Sequence, residues 1–293
     1  VSAARPVGIV GLGLVGTAAA ARLHGAGFVV IGHDLDRARQ AAFAAAGHGT
    51  AADLAALAAA VDLLVIAVFD DDQVAAVVEG LVRAGQTPLV ICLTTCTPAR
   101  IAALARRAAA SGIALLEFPV SGTSAQLRAG EATGLLAGEA GAAARAAPVL
   151  AAICPRHLRI GGPGDAARAK LAINLILQAN RAALAEGLVL AERMGLDGEA
   201  FLVAAGASAA YSQVMEGKGP KMLARDYAPQ SRLAQTLKDA EMIETEAAAH
   251  GLALALHAAQ RRLLRQAIAL VGPDADSAAV IEAVRHGAAG QGA

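Results

Sequence analysis

Three short segments carry residues that could do chemistry on a small polar molecule. Lys170 and Asn174 stand four apart in Ala169–Leu175, where the other residues are Ala, Leu and Ile. On a helix that spacing puts both on one face. Burial would move the amine's pKa toward the working range of a general acid or base. The alternative is a surface lysine whose stem covers apolar area. The second segment is Ser121-Gly122-Thr123, just after an apolar run that ends at Phe118. Its hydroxyls and backbone N–H groups could hold a carboxylate, and a plain turn would use the same residue types. The third is Lys238-Asp239, a cation beside a carboxylate on a later helical stretch, Leu233–Ala249. A solvated charged face would read the same way.

A fourth segment binds rather than reacts. Val7–Val10 is a short apolar run that feeds Gly11-x-Gly13-x-x-Gly16, followed by small helix-forming residues to Gly25. In a strand–turn–helix unit, Gly11 permits the tight turn and Gly13 lets a pyrophosphate approach the backbone. Gly16 lets the helix pack close to the strand. The phosphates would sit on the unpaired N–H groups and positive dipole end of the helix. The next apolar run, Phe28–Ile31, leads to Asp34, placed where a Rossmann site puts the acid that receives ribose hydroxyls. Leu35 follows it without a cation for a 2′-phosphate, which favours NAD, although Arg37 and Arg39 are near enough to keep NADP open. Asp34 would otherwise cap a helix beginning at Arg37.

The elements that must hold these residues fall into two groups. Strand-like runs at Leu63–Phe69, Pro88–Leu93, Ile113–Phe118, Gly134–Ala137 and Arg156–Ile160 alternate with helical stretches at Asp36–Ala46, Asp53–Ala60, Ala99–Ala110 and Ala140–Ile153. Asp70-Asp71-Asp72 reads as the cap and first turn of a further helix, or less readily as a metal site. Thr97-Pro98 reads as an N-cap with proline at the first helical position. The alternation predicts an α/β fold with a doubly wound parallel sheet over residues 1–163, a dinucleotide-binding Rossmann domain. From Gly164 the pattern becomes helical, starting with one long helix over Asp165–Met194. Breaks are expected at Gly195, Gly217-Lys218-Gly219-Pro220, Pro229, Gly251 and Gly272-Pro273. Residues 164–293 therefore form an all-helical second domain, joined by that long interdomain helix.

In this order the motifs resemble the β-hydroxyacid dehydrogenase family, the group around 3-hydroxyisobutyrate dehydrogenase and tartronate semialdehyde reductase. G-L-G-L-V-G at Gly11–Gly16 is similar to the family's cofactor signature. E-F-P-V-S-G-T at Glu117–Thr123 is similar to its D-A-P-V-S-G-G segment. Gly164–Asn174 is similar to its G-x-G-x-x-x-K-x-x-N segment, with Ala166 in place of a glycine. Glu186-Gly187-Leu188 and Ala191–Asp197 are similar to the family's continuation of that helix, and Lys238-Asp239 to its K-D pair.

The resemblance implies a second domain like that of 6-phosphogluconate dehydrogenase, and Lys170 as the catalytic acid/base. It implies substrate contacts from Ser121, Gly122, Thr123, Asn174 and Lys238. Cofactor contacts would come from Gly11, Leu12, Gly13, Leu14, Val15, Gly16, Asp34, Phe69, Thr95, Lys238 and Asp239. The activity implied is NAD-dependent interconversion of a small 3-hydroxy carboxylic acid and its semialdehyde or keto acid. A homodimer or homotetramer is implied as well. Thr123, Gln126, Leu127, Ser231 and Phe69-Asp70 depart from the family pattern. Serine in place of the usual phenylalanine at position 231 would leave a roomier or more polar pocket, suited to a polyhydroxy acid. Two other readings are an imine reductase on the same scaffold, whose relatives lack the lysine, and a dinucleotide-binding protein without turnover.

Composition narrows the classes further. The 293 residues are 56% hydrophobic but only 2% aromatic, so the core is built from Ala, Leu, Val and Ile. Zero formal net charge and no basic run argue against nucleic acid or a membrane surface as partner. No apolar run approaches the roughly 20 residues of a membrane helix. The first strand begins too early to leave space for a signal peptide. Three cysteines without a CxxC pair suit a reducing cytoplasm. The seven histidines lack metal-ligand spacing.

Overall fold

Short β-branched runs separated by alanine-rich stretches dominate the first half of the chain, and they become strands and helices in turn. The structure is a computed structural model that describes residues 6–86 and 88–289; the outer ends of both expected domains, 1–5 and 290–293, lie outside the described residues. The strands are β1 Val7–Val10, β2 Val30–His33, β3 Gly49–Thr50, β4 Leu63–Ile66, β5 Leu89–Cys92, β6 Leu115–Glu117, β7 Val120–Ser121, β8 Thr133–Ala137 and β9 Arg156–Gly161. The helices among them are α1 Leu14–Gly25, α2 Arg37–Ala45, α3 Leu54–Ala60, α4 Asp71–Arg83, α5 Pro98–Ala110, α6 Ser124–Ala129 and α7 Ala140–Ile153. The long helix is α8 Asp165–Arg193. It is followed by α9 Gly198–Gly206, α10 Gln213–Ala224, α11 Leu233–Ala249, α12 Ala255–Val271, a 3₁₀ turn Ser277–Ala279 and α13 Val280–Ala289.

One sheet runs in the order β3-β2-β1-β4-β5-β6-β8-β7, with β9 also paired to β8. Side chains alternate across it, and both faces are covered. Ile9, Val65, Ile91 and Leu116 pack with Ala18, Ala19 and Leu23 of α1 and with Leu150 and Ile153 of α7. Their neighbours Leu64, Ile66, Val90 and Leu115 pack instead with Val74 and Leu81 of α4 and Ile101 of α5. Truncating one of these isoleucines to alanine would cost about 2–5 kcal/mol.

The parallel arrangement expected from the alternation covers β1 to β6. Beyond it the sheet is mixed: β8 runs antiparallel to β6 and β7 and parallel to β9. Residues 118–132, which join β6 to β8, hold β7 and the short α6, and β8 returns in the opposite sense to β6.

The chain divides into two compact units, Val1–Lys170 and Leu171–Ala293. The division falls inside α8. The second unit is helical and has its own core, with Leu184, Leu188, Val214, Met222, Leu233, Leu264 and Ile281. One expected break is absent: α10 runs straight through Gly217-Lys218-Gly219-Pro220. Gly219 accommodates Leu202 of α9, whose Cδ1 lies 2.6 Å from where a Cβ would stand. Lys218 is buried against Asp276. Such packing sustains a helix through residues of low intrinsic propensity.

Candidate active site

The glycine turn between β1 and α1 shows three separate steric demands. Gly11 adopts φ +92°, and a Cβ there would meet the Ala67 carbonyl oxygen at 2.4 Å. A Cβ on Gly16 would stand 1.8 Å from the Gly11 carbonyl oxygen. Gly13 has open space above it, with only Arg39 Nη1 at 4.0 Å. The chain itself does not require glycine at Gly13, so the free volume suits a group from outside.

The start of α1 fits an anion as well. α2, α3, α4 and α7 begin with Asp36, Asp53, Asp70 and Glu139, whose carboxylates accept the first-turn N–H groups. α1 begins at Gly13 with no side-chain cap and no acid in its first turn. Donors left open in this way, on the positive end of the helix dipole, match a pyrophosphate. Leu12 is buried behind the turn, Leu14 is half-buried and Val15 is exposed.

Asp34 sits at the tip of β2. Its Oδ2 accepts the Leu12 N–H at 2.7 Å and its Oδ1 the Asp36 N–H at 2.9 Å. Arg39 Nη1 is 3.6 Å from Oδ2. The capping of α2 is done by Asp36, which accepts the Ala38 N–H at 2.8 Å, and not by Asp34. Phe69 is exposed beyond β4 and donates its N–H to Gln73 Oε1. Thr95 is buried beyond β5. Asp70 caps α4 through the Gln73 N–H, with Asp71 and Asp72 in the first turn. Among the described residues no group of three or more His, Cys, Asp or Glu could hold a metal ion.

The segment Pro119–Thr123, read from sequence as a loop, is more ordered than that. Ser121 belongs to β7 and pairs with Thr133 of β8. Gly122 takes φ +149°, and a Cβ there would come within 2.9 Å of Ala132 Cβ. Thr123 opens α6 with a reciprocal cap. Its Oγ1 accepts the Gln126 N–H at 3.2 Å, and Gln126 Oε1 accepts the Thr123 N–H at 2.8 Å. Two departures from the family pattern are thus one device, and Leu127 is simply core.

Lys170 and Asn174 follow one another on α8 at 6% and 5% exposure, so a solvated lysine is not what the chain builds. Asn174 Nδ2 donates to Asp239 Oδ2 at 2.8 Å, while Asn174 Oδ1 is buried without a hydrogen-bond partner. Lys238 Nζ stands 3.1 Å from Asp239 Oδ1. Asp239 is buried, so the K-D pair is not a solvated face.

Sequence reading missed the parts played by four further residues. Gln178 and Arg181 continue the polar stripe of Asn174 along α8. Gln178 donates to the Thr236 carbonyl at 3.2 Å. Burial pulls the Arg181 guanidinium down to about 10, against the pull of Asp276 and Asp239. Gln126 was read only as a departure, although T-x-x-Q is a capping signature. Glu117 was read only as a motif letter. It is buried at 3% exposure and accepts the N–H groups of Gly164 and Ala167, the latter at 3.0 Å.

Ser231 does not open a pocket of its own. Its hydroxyl lies 3.2 Å from Lys218 Nζ and 2.8 Å from Ser277 Oγ, and its N–H donates to Asp276. A phenylalanine there would displace this polar knot.

Comparison with known proteins decides the family. Residues 6–161 match the model for the NAD-binding domain of 6-phosphogluconate dehydrogenase. Residues 164–284 match the model described as NAD-binding of NADP-dependent 3-hydroxyisobutyrate dehydrogenase. L-threonate dehydrogenase of Cupriavidus necator is 34% identical over 283 residues, 95% of each chain. The chain belongs to the β-hydroxyacid dehydrogenase family.

As a member it is an oxidoreductase that uses a nicotinamide dinucleotide, NAD or NADP, to interconvert a hydroxy acid and its carbonyl counterpart. L-threonate dehydrogenase of Escherichia coli O6:H1 is 31% identical over 249 residues, 83% of this chain and 82% of that protein. The crystal structure of 3-hydroxyisobutyrate dehydrogenase from Salmonella typhimurium is similar with a TM-score of 0.85 and 30% identity. That match covers 95% of this chain and 99% of that one. Among the described residues no helix is long and apolar enough to cross a membrane.

Proposed function

We propose that this β-hydroxyacid dehydrogenase prefers NAD and acts on a small polyhydroxy acid, oxidising its 3-hydroxyl with Lys170 as the base. The observation that carries the reading is the buried pair Lys170 and Asn174, one turn apart on α8, with Asn174 held by Asp239. When bound, the dinucleotide takes the hydride. Lys170 takes the hydroxyl proton in oxidation and returns it in reduction. Asp239 fixes the amide of Asn174 and leaves Oδ1 as an acceptor for a substrate hydroxyl. Ser121, Gly122 and Thr123 hold the carboxylate from a segment whose backbone is already ordered by β8 and the Thr123–Gln126 cap. Lys238, beside Asp239, carries the positive charge that the family resemblance assigns to acid binding.

The L-threonate dehydrogenase relatives support the polyhydroxy class. Asp34 supports NAD, because a carboxylate there repels a 2′-phosphate. The same reading assigns dinucleotide binding to residues 1–163, and substrate binding and oligomerisation to 164–293. Exposed Ile176 and Leu190 on α8, and Met194 just after it, support a homodimer or homotetramer. Three buried cysteines outside any disulfide support a cytoplasmic setting.

The test is Lys170→Ala, assayed with L-threonate, 3-hydroxyisobutyrate and glycerate. Turnover should fall about 10²–10⁴-fold with NADH affinity unchanged. Near-normal turnover in that variant would overturn the role of Lys170, and activity confined to acids without further hydroxyls would overturn the substrate class.

A further inference from the structure

We propose that Glu117 is a positioning residue for Lys170, acting as the missing N-terminal cap of α8 from the end of a different element. This rests on the assignment of Lys170 as acid/base. Gly164 precedes the first residue of α8 and has no side chain to cap with. A helix start needs acceptors for its first N–H groups. Glu117, the last residue of β6, supplies both. One carboxylate oxygen accepts from Gly164, the residue in the cap position, and the other from Ala167 in the first turn. These two bonds set the start point and the rotation of the helix. Lys170 follows three residues after Ala167, less than one turn on, so its direction depends directly on them.

The surroundings are built around this contact. Gly164 takes φ +95°, and a Cβ there would lie 3.1 Å from the Pro98 carbonyl oxygen. Ala166 and Ala167 are buried, so one side of the first turn is enclosed while Asp165 and Arg168 reach outward. Burial raises the Glu117 pKa against the two N–H bonds, and Asp165 and Arg168 are the charged groups facing it. A carboxylate kept in such a place at 3% exposure is held by its partners, since one without them is strongly disfavoured. Both carboxylate oxygens are used. An amide at 117 would turn an N–H₂ toward one of the two donors. An aspartate is one methylene shorter and would reach only one of them. The acid-binding segment has separate supports in β8 and the Thr123–Gln126 cap, so disturbing Glu117 moves the lysine and spares the carboxylate site.

The experiment compares Glu117→Gln and Glu117→Asp with the parent enzyme, in single form and on the Lys170→Ala background. Glu117→Gln should lower kcat about tenfold to a hundredfold, the scale of a small misplacement of a reacting group. NADH stoichiometry and KM for the acid should stay within twofold. Glu117→Asp should fall between Glu117→Gln and the parent. On the Lys170→Ala background Glu117→Gln should cost nothing further, because it acts through the lysine. An unchanged kcat in Glu117→Gln would overturn the proposal. So would a loss matched by lost NADH sites, or an equal further loss without the lysine. If Lys170→Ala itself were fully active, the acid/base assignment would fail first, which separates the two outcomes.

Discussion

At the scale of single residues, the cofactor choice rests on Asp34 and Arg39. The carboxylate has two backbone donors and a guanidinium 3.6 Å away. A 2′-phosphate brought to that place meets one repelling and one attracting group. Asp34→Asn should therefore shift the kcat/KM ratio toward NADP⁺ by about tenfold, with Arg39 then free to pair with the phosphate. Comparing both cofactors in parent and variant checks this, and an unshifted ratio removes Asp34 from the specificity argument. The glycine turn, Asp34 and the Lys170–Asn174 spacing could all be read from the chain because each is local. Glu117 could not, since its partners lie 47 and 50 residues further along. An acid at a strand end has no pattern that announces a distant helix start.

At the scale of elements, α6 is six residues long and owes its start to the Thr123–Gln126 cap. Thr123→Ala removes the hydroxyl acceptor and should cost about 0.5–2 kcal/mol locally. The expected kinetic result is a several-fold higher KM for the acid with kcat retained at saturation. A lowered kcat with unchanged KM would mean that this segment does not hold the carboxylate. Strands and capped helices were legible because their signals sit within a few residues: Asp53 before α3, Asp70 before α4, Pro98 opening α5. α10 was misread for the opposite reason. Gly217, Gly219 and Pro220 are locally breaking, and what keeps the helix is Leu202 and Asp276, far off in sequence. β7 was likewise hidden, because two paired residues carry no period, and the strand expected at Gly134–Ala137 carried no sign of its antiparallel sense.

At the scale of the molecule, the second unit is unusual in burying charge. Asp276 is fully buried and pairs with Lys218 at 2.7 Å. It also receives N–H bonds from Gln230, Ser231 and Ala278. Burial alone would raise its pKa, but Lys218 and these donors outweigh it and hold it below 3.8. Its contribution to stability is thus present above that value and is lost as pH falls through the depressed one. Asp276→Asn should cost about 3–5 kcal/mol at neutral pH, since it strands a buried cation. Denaturant titrations from pH 2 to 7 should show a steeper acid loss in the parent than in the variant. A variant as stable as the parent would mean that the pair contributes little.

The tie from β6 to α8 also bears on how this protein can be taken apart. A cut between residues 163 and 164, where pattern alone draws the border, separates Glu117 from both of its donors. The severed piece would hold a buried carboxylate with nothing to receive, although every strand of its sheet is intact. The opening turns of the long helix are, in that sense, the last piece of the dinucleotide fold, and a fragment meant to stand alone has to carry them.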